Sequence, residues 1–309
     1  MKKLLVLIVS FASISLTWSQ NQFHLSQYMV HQPFINPAAM GAFENLNGAL
    51  FYKNQWVGFE GAPKLQGINI NTPLGKGNNL VGFTFVNDQI GVNTNMDISG
   101  SYAYKIKTSS KSNLTFGLSA TMKLIQSDYA NVETPINDPL FQANSPMLIM
   151  PNFKFGTYFN TAKFYVGFAM PNLLHNDVQY VGGEFVGNTS FDMEQTHFYL
   201  HSGYKFVLNE KNDLNSSVLF KQVAGAPFQT DINVLYEYNR KFGIGVSYRT
   251  SKEIIALAQF RINNMFKLAY AYDFNLGELN NYSSGSHEIM LLVDLKSSAK
   301  KPIIEAPRF

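Results

Sequence analysis

The chain has 309 residues and a formal net charge of +3; only 15% of its residues are charged, while 14% are aromatic. Water-soluble domains usually carry about 25% charged residues, and so small a net charge, with no Lys/Arg run longer than two, excludes a basic surface for nucleic acid. The absence of cysteine excludes disulfides, thiolate catalysis, Cys-based zinc sites and an N-terminal lipidated Cys.

In chain order, Lys2 and Lys3 lead into an apolar stretch from Leu4 to about Leu16 and then Thr17-Trp18-Ser19. This pattern predicts a secretory signal over residues 1–19, cleaved after Ser19. Downstream, no apolar run approaches the roughly 20 residues a spanning helix needs, so a membrane would have to be crossed by strands. Residues 20–45 precede the first strand-like segment and carry Phe23, Tyr28, Met29, Phe34 and Ile35. Five large apolar side chains in a solvated tail would be costly, so docking is expected, as a plug in the lumen or a clasp on the periplasmic rim. A flexible leader is the alternative.

Residues 46–296 divide into fourteen alternating segments of roughly 9 to 15 residues, separated by Gly/Asn/Ser/Lys-rich turns, the repeated signal of a transmembrane barrel. In one such segment Phe116, Leu118, Ala120, Met122 and Leu124 face one way, and Thr115, Gly117, Ser119, Thr121 and Lys123 the other. Near the end, Phe266, Leu268, Tyr270, Tyr272 and Phe274 oppose Lys267, Ala269, Ala271 and Asp273. The predicted fold is therefore an all-β, antiparallel, up-and-down outer-membrane β-barrel of about 14 strands. A soluble sandwich would need protected edges, and a solenoid would show a fixed repeat.

Loop lengths are consistent with this architecture. The three longest connections, residues 128–149, 172–196 and 273–285, follow the fifth, seventh and thirteenth segments, and most even-numbered connections are short. Long loops of such barrels lie outside the cell, which predicts both termini in the periplasm. The tail, residues 297–309, extends past the last segment with Pro307 and Phe309, as a peptide for contact with other components or as a disordered end.

Two stretches fit neither strand nor turn logic. Leu25-Ser26-Gln27-Tyr28-Met29 leads to Phe34-Ile35-Asn36-Pro37-Ala38-Ala39-Met40-Gly41, and Asn54-Gln55-Trp56-Val57-Gly58 leads to Gly61-Ala62-Pro63-Lys64. Together they resemble the opening of the PorP/SprF family, with Lys53 standing where Arg is more usual. Asn71-Thr72-Pro73, Asp138-Pro139-Leu140-Phe141 and Pro307-Arg308-Phe309 extend the resemblance over essentially the whole mature chain. The resemblance implies an outer-membrane barrel working with the type IX secretion system and gliding machinery of Bacteroidota. Its implied partners are the C-terminal domain of a secreted surface protein, typically a large adhesin, and other type IX secretion components.

The candidate sites follow from these readings. Gln55, Trp56, Phe59 and Pro63 in the first corner form one partner-binding candidate; Trp56 also suits a purely interfacial anchor. The two long acidic and aromatic loops supply Asp138, Phe141, Tyr180, Phe185 and Phe191, because connections this long are usually functional or disordered. Tyr28, Met29, Phe34, Asn36 and Pro37, with Pro307 and Phe309, are the plug or periplasmic candidates. His197 and His201 share a strand face but lie roughly 13 Å apart at that spacing, too far for one ion, and read as lumen lining.

No catalytic, cofactor or metal site is expected. Gly243-Ile244-Gly245-Val246-Ser247 misses a Gly-x-Ser-x-Gly elbow because its serine is displaced by two. The leading functional reading is a non-catalytic export or anchoring barrel. A porin or small-molecule transporter is the alternative, because a barrel of this size leaves a lumen unless it is plugged.

Overall fold

The computed structural model describes residues 24–75, 78–130, 144–181, 184–224 and 226–295. The signal, Asp138, Phe141, Pro307 and Phe309 lie outside the described residues.

Period-two alternation sends successive side chains to opposite faces of a strand, and the alternating segments form the wall. The strands are β1 (Leu46–Asn54), β2 (Lys64–Pro73), β3 (Asn79–Ile90), β4 (Asn93–Ser109), β5 (Ser112–Ser127), β6 (Leu148–Thr161), β7 (Phe164–Met170) and β8 (His175–Val181). They continue as β9 (Glu184–Ser190), β10 (Phe198–Val207), β11 (Asn212–Gln222), β12 (Gln229–Tyr238), β13 (Phe242–Arg249), β14 (Glu253–Arg261), β15 (Phe266–Asn275) and β16 (Ser286–Leu295). All except β8 and β9 close into one antiparallel barrel of 14 strands. The ring is sealed where β1 meets β16, with Leu46 opposite Leu295 and Asn54 opposite His287.

The expectation for residues 172–196 was a single long loop. Instead β8 and β9 form a separate hairpin, so β7 pairs with β10 across it. At 7 residues each, these strands are shorter than the roughly 9 to 11 residues a spanning strand needs, and their polar, acidic sequence does not suit lipid.

The outward face is apolar along the whole wall. On β5, Phe116, Leu118 and Met122 are exposed, whereas Thr115, Ser119 and Thr121 are buried. Tyr104, Tyr204, Phe206, Tyr236 and Tyr238 point outward near the short-turn rim, as an interfacial aromatic girdle does. The turn after β12 places Asn239 and Arg240 at φ 52° and 51°, the paired positive angles of a hairpin whose twist matches its strands. No described helix is long and apolar enough to cross a membrane; the spanning elements are strands, whose backbone groups pair with one another around the closed ring.

The core of the molecule lies inside the lumen. Inward side chains such as Phe51, Leu219, Leu235, Ile255 and Met290 pack against residues of the segment that precedes β1.

Leu118 lies near the middle of β5 on the outward face. Leu118→Arg should destabilise the barrel by about 2 to 4 kcal/mol, as for a cation at bilayer mid-depth. Ser119→Arg, on the luminal face, would probe a different environment. Urea unfolding in lipid vesicles measures the effect on Leu118→Arg.

Candidate functional site

The segment ahead of β1 contains motifs that no strand or turn requires, and the structure places it in the lumen. From Leu25 to Ala42 every residue is buried. Two short 3-10 turns, Gln32–Phe34 and Pro37–Ala42, compact it. Pro37 begins the second turn, where a missing N–H costs nothing, and the Asn36 side chain caps that turn by accepting from the Ala38 N–H at 2.9 Å. Burying Phe34, Met29 and Ile35 contributes about 1.5 to 3 kcal/mol for each side chain.

At one end the plug is held by charge. Glu288 accepts from the backbone N–H groups of Ser26 and Gln27, at 2.7 and 3.0 Å. Lys53 donates to Asp273 at 2.8 Å, to the Ser26 hydroxyl at 2.6 Å and to the His24 carbonyl at 3.2 Å. Lys53 and Glu288 are direct neighbours across the seam between β1 and β16, so Ser26 and Gln27 sit over the closure of the barrel. A second buried cluster adjoins it: Arg249 pairs with Asp231 at 3.0 Å and with Glu253 at 2.7 Å, and Lys221 approaches Asp231 at 3.6 Å. Hydrogen bonds to charged groups stabilise by about 1.5 to 3 kcal/mol, and buried charges such as these require partners.

Midway along the lumen, Tyr28 accepts from the Asn233 side chain at 2.8 Å, and His31 Nε2 lies 2.6 Å from Asn69 Oδ1. His31 is in the plug rather than in a strand; burial pushes its imidazole down to about 4, against a smaller upward pull from the Asn69 hydrogen bond. The ring is therefore neutral near pH 7 and donates Nε2–H to Asn69. His31 packs edge-on against Phe34, which packs edge-on against Phe51.

The Asn36-Pro37-Ala38 motif has a seat of its own. Asn36 Nδ2 donates to the Thr157 carbonyl at 3.1 Å and to His201 Nε2 at 3.0 Å. Gly117 and Gly156, paired across β5 and β6, form the floor. A Cβ on Gly156 would overlap the Asn36 side chain, and one on Gly117 would overlap the Pro37–Ala38 backbone. His201, on the luminal face of β10, is buried and contacts the capping residue Asn36. At the far end, Glu44 pairs with Lys105 at 3.0 Å.

This succession of contacts fixes a direction. Lys53, Lys221, Arg249 and Asp273 lie at the strand ends beside the long connections, whereas Lys105 lies towards the short β4–β5 turn. The plug thus runs the length of the lumen, from His24 at the long-loop mouth to Glu44 at the short-turn rim. The sequence reading placed both termini on the short-turn side. The termini themselves lie outside the described residues; His24 is at the long-loop mouth because its neighbours Ser26 and Gln27 bind Asp273 and Glu288 there.

The remaining candidates lie on the long-loop face. In the 55–63 corner, Gln55 N–H donates to the Pro63 carbonyl at 2.9 Å. Val57 N–H donates to the Gly285 carbonyl at 2.8 Å, and Trp56 N–H to the Ser286 hydroxyl at 3.1 Å, which anchors the corner to the β15–β16 connection. Trp56 is half-buried and Phe59 exposed; with Asn54, Lys64 and Gln89 they border a crevice. On β9, Phe185 stacks on Tyr129 with centroids 5.7 Å apart, and Tyr180 is its backbone partner on β8. Asn152 of β6 fastens the foot of the hairpin through the Leu173 and Leu174 N–H groups. Phe191, beyond β9, is 64% exposed. The strand order puts the corner and the hairpin on opposite sides of the mouth, so the structure does not bring these two sets of candidates together.

Sequence reasoning missed the lattice of Lys53, Asp231, Arg249, Asp273 and Glu288. Its signal was present as charges at inward positions of alternating strands, where a plain lumen would also place them.

The model of the type IX secretion system membrane protein PorP/SprF matches residues 17–293. The chain belongs to the PorP/SprF family. No curated protein sequence matches it. Among solved structures, the CymD monoaromatic hydrocarbon channel is similar with a TM-score of 0.50 and 11% identity, covering 89% of this chain and 94% of that one. A Pseudomonas aeruginosa FadL homologue is similar with a TM-score of 0.43 and 12% identity, over 84% and 92% of the respective chains. At such identity the CymD likeness concerns the barrel fold alone. PorP/SprF membership gives an outer-membrane barrel of the type IX secretion system, with other components of that system as its associates.

Two predictions follow from the plug geometry. Gly156→Val and Gly117→Val should displace the Asn36 turn and expose the plug to protease in detergent while the barrel stays folded. Gly100→Val should leave the digestion pattern unchanged, because a Cβ there meets open space. His31 should make plug protection pH-dependent. The imidazole titrates near 6.5 when the plug is released and near 4 when it is seated. Stability is therefore fully present above about pH 6.5 and is lost as the pH falls towards 4, by about 3 kcal/mol in full. The protection factors of the plug amides, which discount the intrinsic pH dependence of exchange, should fall between pH 7 and 5, and His31→Gln should flatten that dependence.

Proposed function

We propose that this PorP/SprF barrel is a non-catalytic docking and export element, which binds the C-terminal domain of a secreted surface protein, such as a large adhesin, at its long-loop mouth. The observation that carries the reading is the filled lumen. A segment buried from Leu25 to Ala42 and bonded to the wall by charge occupies the space through which a diffusive solute would travel. The function then belongs to the faces at the two ends.

The long-loop face supports protein docking by its chemistry. Phe59 and Phe191 are exposed there, Trp56 borders the corner crevice, and Phe185 is held by stacking on Tyr129. Buried aromatic anchors dominate protein interfaces. In this orientation β16 ends on the periplasmic side, and the tail, residues 297–309, serves contact with the secretion machinery there.

The test is isolation of the protein in mild detergent with its complexes intact, followed by mass spectrometry. Recovery of a large secreted protein in near-equal amount, held through its C-terminal domain, is the expected result, and Trp56→Ala with Phe59→Ala should reduce it. Recovery of the barrel alone, with single-channel conductance insensitive to deleting residues 20–32, would overturn the reading in favour of a channel.

A further inference from the structure

The exposed charges of the barrel separate by end. At the short-turn rim they are mainly cations: Lys107 and Lys111 around the β4–β5 turn, Lys163 after β6, Lys211 before β11, and Arg240 and Lys241 between β12 and β13. Acids at this rim are largely committed. Glu44 pairs with Lys105, while Asp213 and Glu237 are buried beside Lys205, Arg240 and Lys267; Glu210 is exposed and Asp294 half-buried. At the long-loop face the balance reverses, with Glu60, Glu184, Glu194 and Glu278 exposed against Lys64 and Lys252. Among the described residues, Lys107, Lys111, Lys163, Lys211 and Lys241 form no ion pair with a carboxylate.

The β12–β13 turn shows what these cations face. The Lys241 ammonium lies over the Phe242 ring at 5.7 Å and the Phe260 ring at 5.8 Å, and the two rings are 5.1 Å apart. Phe242 stands opposite both Tyr238 and Phe260 in the sheet, and all three rings are exposed on the outward wall. Lys241 is therefore held on the lipid side of the rim, with its charge above an aromatic surface. Arg261 fixes the turn, donating its backbone N–H to the Lys241 carbonyl at 2.8 Å and its Nε–H to the Arg240 carbonyl at 2.9 Å. The Arg240 side chain is 67% exposed and reaches Asp213 only at 3.6 Å.

We propose that the short-turn rim docks anionic phospholipid, with its principal site at the β12–β13 turn. Lys241 and Arg240 take the phosphate oxygens, and the acyl chains continue down the wall over Phe242, Phe260 and Ile244. Two observations favour lipid over an acidic protein. The cation-bearing strands, β4 to β7 and β10 to β13, are neighbours in the ring and make a curved arc, which surrounding lipid follows and a flat partner does not. The rings beneath Lys241 belong to the apolar wall itself. Short turns of such barrels face the periplasm, so the leaflet at this rim is phospholipid, and anionic headgroups there attract lysine and arginine. The proposal is independent of the docking function assigned to the opposite face.

The test is native mass spectrometry of lipids retained by the protein. It is released from nanodiscs holding equal amounts of phosphatidylglycerol and phosphatidylcholine with identical acyl chains. Phosphatidylglycerol should be retained over phosphatidylcholine by about tenfold, as expected for two cations at a charged surface. Lys241→Gln should cut that preference about fivefold, and Arg240→Gln combined with Lys241→Gln should abolish it. Lys252→Gln, the same loss of charge at the long-loop face, should leave it intact. Equal retention of the two lipids by the parent protein would overturn the proposal and leave the rim to an acidic protein. An unchanged preference in the double variant would overturn the site, and an equal fall in Lys252→Gln would reduce the effect to net charge. The parent comparison requires no variant, so misfolding of one does not shield the proposal.

Discussion

A chain that crosses hydrocarbon as strands must pair every backbone N–H and C=O with another strand, and only a closed ring leaves no edge unpaired. Here that requirement falls on one seam, the pairing of β1 with β16 across the ends of the chain. Closure also creates a wide lumen. A barrel of 14 strands is broader than the eight-stranded barrels whose own side chains fill the interior, so the inward face needs either water or a second layer of protein. In this protein the second layer is the chain's own N-terminal segment.

The two requirements meet at Lys53 and Glu288. These residues face each other across the seam, and Glu288 also holds the Ser26 and Gln27 backbone. Plug and closure therefore share one set of buried charges. Removing one member would leave its partner buried and unpaired, which costs far more than an exposed ion pair contributes. The plug's second point of attachment depends on shape. The Asn36 turn rests where β5 and β6 carry Gly117 and Gly156, and the missing side chains let backbone approach backbone.

With the lumen occupied, the chemistry available to a partner lies at the mouth. The wall carries an apolar skin suited to lipid, and the 55–63 corner and the β8–β9 hairpin project on opposite sides of the long-loop face. Each is fastened to the barrel by backbone hydrogen bonds, the corner to Gly285 and Ser286, the foot of the hairpin to Asn152. Aromatic side chains held in this way lose little further freedom when a partner covers them.

The sequence by itself determined the barrel. Alternation on Thr115 to Leu124 and on Phe266 to Phe274 is a local property of successive residues, and it set strand, face and count because a strand's side-chain period of two is imposed by the backbone. It also marked Ser26 to Met29, Asn36 to Ala38 and Gln55 to Gly58 as unusual, without saying what they touch. Only the tertiary structure decided that the first two lie in the lumen, that Glu288 and Lys53 hold the plug, that Gly117 and Gly156 form its floor, and that residues 175–190 turn back as a hairpin. Those outcomes depend on pairs separated by tens to hundreds of residues, Ser26 with Glu288 and Asn36 with His201 among them. A charge or a glycine at an inward position reads the same in the sequence whether it faces water or a plug; the closed ring, which brings distant strands around one segment, makes the distinction.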